Sequence, residues 1–217
     1  MSLDPSMMLS TNFNLAELTK TNTGFPNLPE EDSLELRNLG WTADILEQLA
    51  YDIGPFNIIS GFRTADVQQA LADQGEPVAK GKSFHEAGLA VDIAPTTMDI
   101  NTFYGKLAAL VGTSGSEGPW FGKLSEIAIK PGQNSLHLAI AVPGSRQNVF
   151  MALNSAGEYA KLTADEILGY AQPFMTAVSD VVETVTATKP RKAMLLIAVA
   201  GGLLLVLYMM SKKKRTA

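Results

Sequence analysis

One histidine stands seven residues before an aspartate in Ser83-Phe84-His85-Glu86-Ala87-Gly88-Leu89-Ala90-Val91-Asp92, across a glycine and into an apolar, strand-like run. The only other histidine, His137, lies in a second strand-like run, Ser135-Leu136-His137-Leu138-Ala139-Ile140. Two imidazoles and one carboxylate are the protein ligands of a zinc site whose fourth position is left to water. If the two runs are neighbours in space, His85, Asp92 and His137 form a metal site, and the fold must be one that closes two distant segments around it.

Composition sets the outer limits. The 217 residues suffice for one domain of ordinary size plus appendages. There is no cysteine, which excludes disulfide scaffolds, thiolate metal sites and cysteine nucleophiles. The formal net charge of −5 hides an uneven distribution. Seven basic residues (Lys189, Arg191, Lys192, Lys212, Lys213, Lys214 and Arg215) flank a C-terminal apolar run. Taking those seven from 17 leaves 10 basic against 22 acidic residues, so the chain before Lys189 carries about −12. So acidic a region is a poor binder of phosphate backbones, and no nucleic-acid partner is expected.

The apolar run itself, Ala193 to Met210, reads AMLLIAVAGGLLLVLYMM. As a helix it would cover roughly 27 Å, close to the hydrocarbon thickness of a bilayer. The expectation is a transmembrane helix over 193–211 with a basic tail at 212–217. Ala198 and Gly202 have the small-xxx-small spacing that lets helices pack on one another. The first residues, MSLDPSMMLSTNFN, have neither a basic start nor an apolar core, so they do not read as a secretion signal. A single-pass protein with a C-terminal anchor is expected, its tail leaning towards the cytoplasmic or interior side by one basic residue.

Local signals divide the rest. Asn14 with Glu17 three residues on has the spacing of a capped helix start. A longer helix is expected from the apolar stripe Leu34, Leu36, Leu39, Ile45, Leu46 and Leu49, with Gly40 a possible interruption, ending at Gly54-Pro55. Strands are expected at Phe56 to Ile59, Leu89 to Ala94, Leu124 to Ile129 and Leu136 to Val142, the last of these being the last strand that the sequence marks clearly. Helices are expected from Thr64 to Asp73, with Thr64 as cap, and from Asp99 to Val111. Thr163-Ala164-Asp165-Glu166 can open another short helix. Helices and short strands alternate irregularly without long crossovers, which points to an α+β fold rather than a doubly wound sheet. The organisation read from this is an N-terminal arm (1–11), a domain at 12–154, a helical stem or flexible spacer at 155–192, the anchor, and the tail.

Four segments occur in a telling order: Asn12-Phe13-Asn14-Leu15-Ala16-Glu17-Leu18, Ser60-Gly61-Phe62-Arg63, the Ser83-to-Ile93 stretch, and Leu136-His137-Leu138-Ala139. Together they resemble the zinc D-Ala-D-Ala carboxypeptidase family, which includes many phage endolysins. The resemblance spans roughly residues 12 to 150. It implies the Hedgehog-type α+β fold with a small antiparallel sheet and flanking helices. It also implies Zn2+ as cofactor, with His85, Asp92 and His137 as ligands. Arg63 corresponds to the arginine that steadies substrate and oxyanion, and Ser83 to a serine supporting the ligand loop. Arg146 matches a basic position after the last strand and carries no chemical role here.

One departure is clear. The family usually places a carboxylate a few residues before the last histidine, whereas Lys130 to Leu136 (KPGQNSL) has none. Asn134 stands three residues before His137, and an asparagine can orient a water but not take its proton. Glu126 on the preceding strand is the nearest upstream acid, and Glu86 and Glu117 are the alternatives. Two functions are therefore expected in competition. One is a membrane-anchored zinc peptidase, a hydrolase that cleaves the peptides of bacterial peptidoglycan. It would be carried by a bacteriophage virion membrane or lie in the bacterial inner membrane, for cell entry or release. The other is a catalytically degenerate zinc-binding module that binds peptidoglycan or serves as a structural virion membrane protein.

Overall fold

The computed structural model describes residues 3–76, 78, 83–112, 118–130, 133–142, 149–153 and 159–170. The expected transmembrane helix, the stem after residue 170, Glu117 and Arg146 lie outside them. Among the described residues no helix is long and apolar enough to cross a membrane.

The chain opens with a single helical turn, α1 (Leu15–Leu18), held by a capping box between Asn14 and Glu17. Helix α2 (Leu34–Asp52) begins at Ser33, whose side chain accepts from the Leu36 amide. It runs unbroken through Gly40. Its buried stripe is Leu39, Ala43, Ile45, Leu46 and Leu49, whereas Leu34, expected on that stripe, lies in the first turn and is 59% exposed. Strand β1 (Phe56–Ser60) leads through Thr64, an N-cap, into α3 (Ala65–Asp73). Strand β2 (Ala90–Pro95) is followed by α4 (Ile100–Val111), capped by Asp99. Then come β3 (Leu124–Lys130), β4 (Ser135–Ile140), β5 (Val149–Leu153) and β6 (Tyr159–Lys161). Residues 164–170 are helical, and Thr163 accepts at its hydroxyl from the Glu166 amide.

The six strands form one sheet in the order β1-β2-β4-β3-β5-β6. The fold is α+β with a mixed sheet. The expectation of a small antiparallel sheet needs correction, because β5 pairs parallel with β3, Ile127 opposite Phe150. Two strands, β5 and β6, follow the last one that the sequence marks clearly. Val149 to Leu153 is a short apolar run whose partner, β3, is settled only by long-range pairing, and no local pattern reveals the direction of such a pair. The span 12–154 is flanked on both sides by residues packed on the same core, Leu3, Met7 and Leu9 before it and Leu162, Ile167 and Tyr170 after it.

Alternation along the strands separates two faces. Val91 and Ile93 of β2 stand opposite Leu138 and Leu136 of β4, which in turn oppose Ile127 and Ile129 of β3. All six are fully buried. Helix α4 packs against β2, β3 and β4 on this core, and Tyr104 meets Phe150 edge-on at 5.8 Å. Each such side chain contributes roughly 1.5–3 kcal/mol by burial. The intervening residues Asp92, His137, Ala128 and Lys130 therefore project from the other face.

Candidate metal centre

Asp92 and His137 are direct cross-strand partners in β2 and β4. Opposed residues of an antiparallel pair project from the same face with their Cβ atoms about 4.5–5.5 Å apart, so pairing alone joins two of the ligand candidates. Ala128 of β3 is the next residue in that row, and its small side chain leaves room beside the imidazole.

His85 arrives from a tight turn just before β2. Gly88 in that turn has φ +71°, and a Cβ there would stand 2.6 Å from the Glu35 carbonyl of α2. Glycine is required for both reasons. Helix α2 grips the turn through Asn38, which donates to the Ala87 carbonyl at 2.7 Å, and Thr42, which donates to the Gly88 carbonyl at 2.8 Å. Ser83 accepts from the His85 amide, and Glu86 accepts from the Ser83 amide. Glu86 is thus engaged in shaping the ligand turn. The His85 Nδ1 lies 2.6 Å from the Gly61 carbonyl, which makes Nδ1 the donor and turns the Nε2 lone pair inward. Gly61 is itself pressed on α1, where a Cβ would meet the Leu18 carbonyl at 2.2 Å.

The three groups converge. One ligand atom from each of His85, Asp92 and His137 lies within 4.8 Å of the other two. His85 Nε2 is 3.8 Å from Asp92 Oδ2, and His137 Nδ1 is 3.1 Å from Asp92 Oδ1. The two rings are 5.0 Å apart. His85 and Asp92 are buried, His137 partly so. Two imidazole nitrogens and a carboxylate oxygen at this separation could hold a metal ion. Burial pushes the His85 pKa down to about 3, so the imidazole is neutral at pH 7, the form that ligates.

Cations surround Asp92. Arg63 Nη2 donates to Oδ2 at 3.0 Å and Lys130 Nζ to Oδ1 at 3.0 Å. Burial works to raise the Asp92 pKa. The hydrogen bond with His137, and His85 and Lys130 close by, outweigh it and hold the carboxyl well below the usual range. Burial likewise opposes the Lys130 ammonium, but Asp92 beside it raises the pKa on balance. Burial lowers that of Arg63 against the pull of Asp92. Arg63 follows a shift of register in β1 between Ile58 and Ser60. It is steadied by Ser60 and by Gln68. Buried Asn27 clamps the same segment, donating to the Phe62 carbonyl and accepting from the Thr64 amide.

Glu126 reaches the rim of the site, with Oε2 4.0 Å from His137 Nε2 and its side chain one-third exposed. Asn134 has φ +49° in the β3–β4 turn. Asparagine tolerates that left-handed conformation, which gives it a backbone reason to be there.

Lys130 and Tyr159 were not among the candidates. Lys130 shares strand parity with Ala128, so once Ala128 is known to oppose His137 it falls on the site face. Tyr159 comes from β6. Its ring lies 6.2 Å from that of His137, and its hydroxyl shares a hydrogen bond with Lys130. No short-range signal marks it. A cleft of about 410 Å³ opens beside the cluster, lined by Arg63, Asp92, Lys130 and Lys20 and by the apolar Ile59 and Leu71. Comparison with known proteins finds no matching family model, no matching curated protein and no matching solved structure, so the resemblance to the zinc carboxypeptidases rests on the motif residues themselves.

Proposed function

We propose that this chain is a zinc peptidase of the D-Ala-D-Ala carboxypeptidase type that cleaves peptidoglycan peptides and is tethered to a membrane by residues 193–211. The observation that carries the reading is the convergence of His85, Asp92 and His137 next to an arginine-lined cleft. In this reading His85 Nε2, an Asp92 oxygen and His137 Nδ1 hold the ion. Such an ion activates water and polarises a carbonyl when bound. Arg63, in the cleft lining, steadies the substrate and the oxygen on which negative charge develops. Glu126 is the proton acceptor, beside His137 Nε2. Ile59 and Leu71 offer an apolar wall to the peptide. The substrate class follows from the family resemblance, and the placing of the protein in a phage virion membrane or a bacterial inner membrane follows from the apolar run at 193–211.

The test is incubation of the full-length chain in detergent, loaded with Zn2+, with cross-linked muropeptides. Cleavage is expected, and His137→Ala should abolish it together with metal binding. Glu126→Gln should lower kcat by about 10²–10⁴-fold while zinc stays bound. Full activity in that variant removes Glu126 from the mechanism. For location, the protein is expected in purified particles, and finding it only in host inner membrane would end the virion reading.

A second reading is a zinc-binding module that recognises peptidoglycan without cleaving it. The observation favouring it is Lys130, a cation on Asp92 at the head of a segment that holds no acid. Stoichiometric zinc and muropeptide binding without product would establish it.

A further inference from the structure

Asp92 is the most heavily compensated group in the described residues. Both of its oxygens are engaged by cations: Oδ2 by Arg63 and Oδ1 by Lys130, each at 3.0 Å. Oδ1 also faces His137 Nδ1 at 3.1 Å, while Oδ2 lies 3.8 Å from His85 Nε2, so each oxygen carries a cation on the side of one ligand candidate. Lys130 is itself only 9% exposed. It is held from the other side by Tyr159, whose hydroxyl shares a hydrogen bond with it and whose ring centroid lies 6.0 Å from Nζ.

We propose that Lys130 is a built-in competitor for the metal: its ammonium shares Asp92 with the ion, keeps the affinity low and the ion exchangeable, and leaves the protein folded without it. This rests on the metal reading of the site. A carboxylate oxygen has two lone pairs, so ammonium and ion can both approach Oδ1, but only as close neighbours of like charge. In a buried site that repulsion is weakly screened. Removing the ion leaves Asp92 paired, because Lys130, Arg63 and His137 already engage it, and the Gly61 carbonyl still holds His85 Nδ1. The sign of the effect sets Lys130 apart from an ordinary supporting residue. Groups that orient metal ligands raise affinity, and their loss typically costs 10–100-fold. Loss of a competing cation does the reverse.

The experiment is competition for Zn2+ against a chromophoric chelator, at fixed pH and ionic strength, with the full-length chain in detergent. Wild type, Lys130→Met and Lys130→Arg are compared. Lys130→Met should bind at least about 10-fold more tightly than wild type, the inverse of the usual supporting-shell effect. Lys130→Arg, which keeps the charge, should stay within about 3-fold of wild type, on the same Coulomb argument. Zinc binding in Lys130→Met that equals or falls below a measurable wild-type affinity overturns the inference and leaves the metal reading standing. No binding in either protein overturns both. Should Lys130→Met fail to fold, Lys130→Gln gives the same comparison. Wild type treated with EDTA should still melt cooperatively, and loss of that transition would also overturn the inference.

Discussion

Val91 and Ile93 flank Asp92 in β2, and Leu136 and Leu138 flank His137 in β4, so an apolar layer and a polar site are interleaved residue by residue on the same strands. The apolar face gains by excluding water, and its side chains need only fit. The polar face costs free energy to bury and is tolerable because its charges are paired: one carboxylate lies between two cations, with two imidazoles within a few ångströms. One face therefore supplies stability with little chemistry, and the other holds chemistry at a stability cost that its internal pairing offsets. A change on either face should move a different observable.

The largest effect is expected from breaking the pairing on the polar face. Asp92→Asn leaves Lys130 and Arg63 buried without their counter-charge, and should destabilise the metal-free protein by about 3–5 kcal/mol in urea unfolding. A loss under 1 kcal/mol would mean that water already solvates those cations. On the apolar face, Leu138→Ala opens a cavity between β2 and β3 and should cost about 2–5 kcal/mol. Zinc affinity of the protein that remains folded should stay near wild type. A large fall in affinity there would show that the two faces are coupled.

Acid separates the faces without mutation. The folded His85 pKa is pushed down to about 3 from an ordinary 6.5, so between those values the unfolded chain binds the extra proton. Stability of the metal-free protein should thus fall as pH drops from about 6.5 towards 3, by an amount on the order of a few kcal/mol. Asp92, held below its ordinary 3.8, adds a further loss as pH falls below that value. Urea midpoints measured between pH 7.5 and 2.5 test this, and His85→Gln should flatten the upper part of the profile. The smallest effect expected is that of Tyr159→Phe, which removes one hydrogen bond to Lys130 and should cost about 0.5–1.5 kcal/mol.

What could be read early was local. The caps at Asn14 and Thr64 and the strands β1 to β4 follow from side chains that satisfy nearby amides and from two-residue alternation. Gly88 and Gly61 sit where backbone crowding admits no side chain. The ligand trio was legible because few residue types bind a metal, and the chain holds only two histidines.

The amino-acid sequence alone determined the α+β character and the three side chains able to share an ion, because helix caps, strand alternation and ligand chemistry act over a few residues. Tertiary structure decided the parallel β3–β5 pairing, the β6 strand that carries Tyr159, and the placement of Lys130 on Asp92. Those depend on which strands pair and in what register, and a shift of one residue would turn Lys130 to the opposite face. Register is a property of the whole sheet, set by the summed packing of its apolar side, and no short window of sequence contains it.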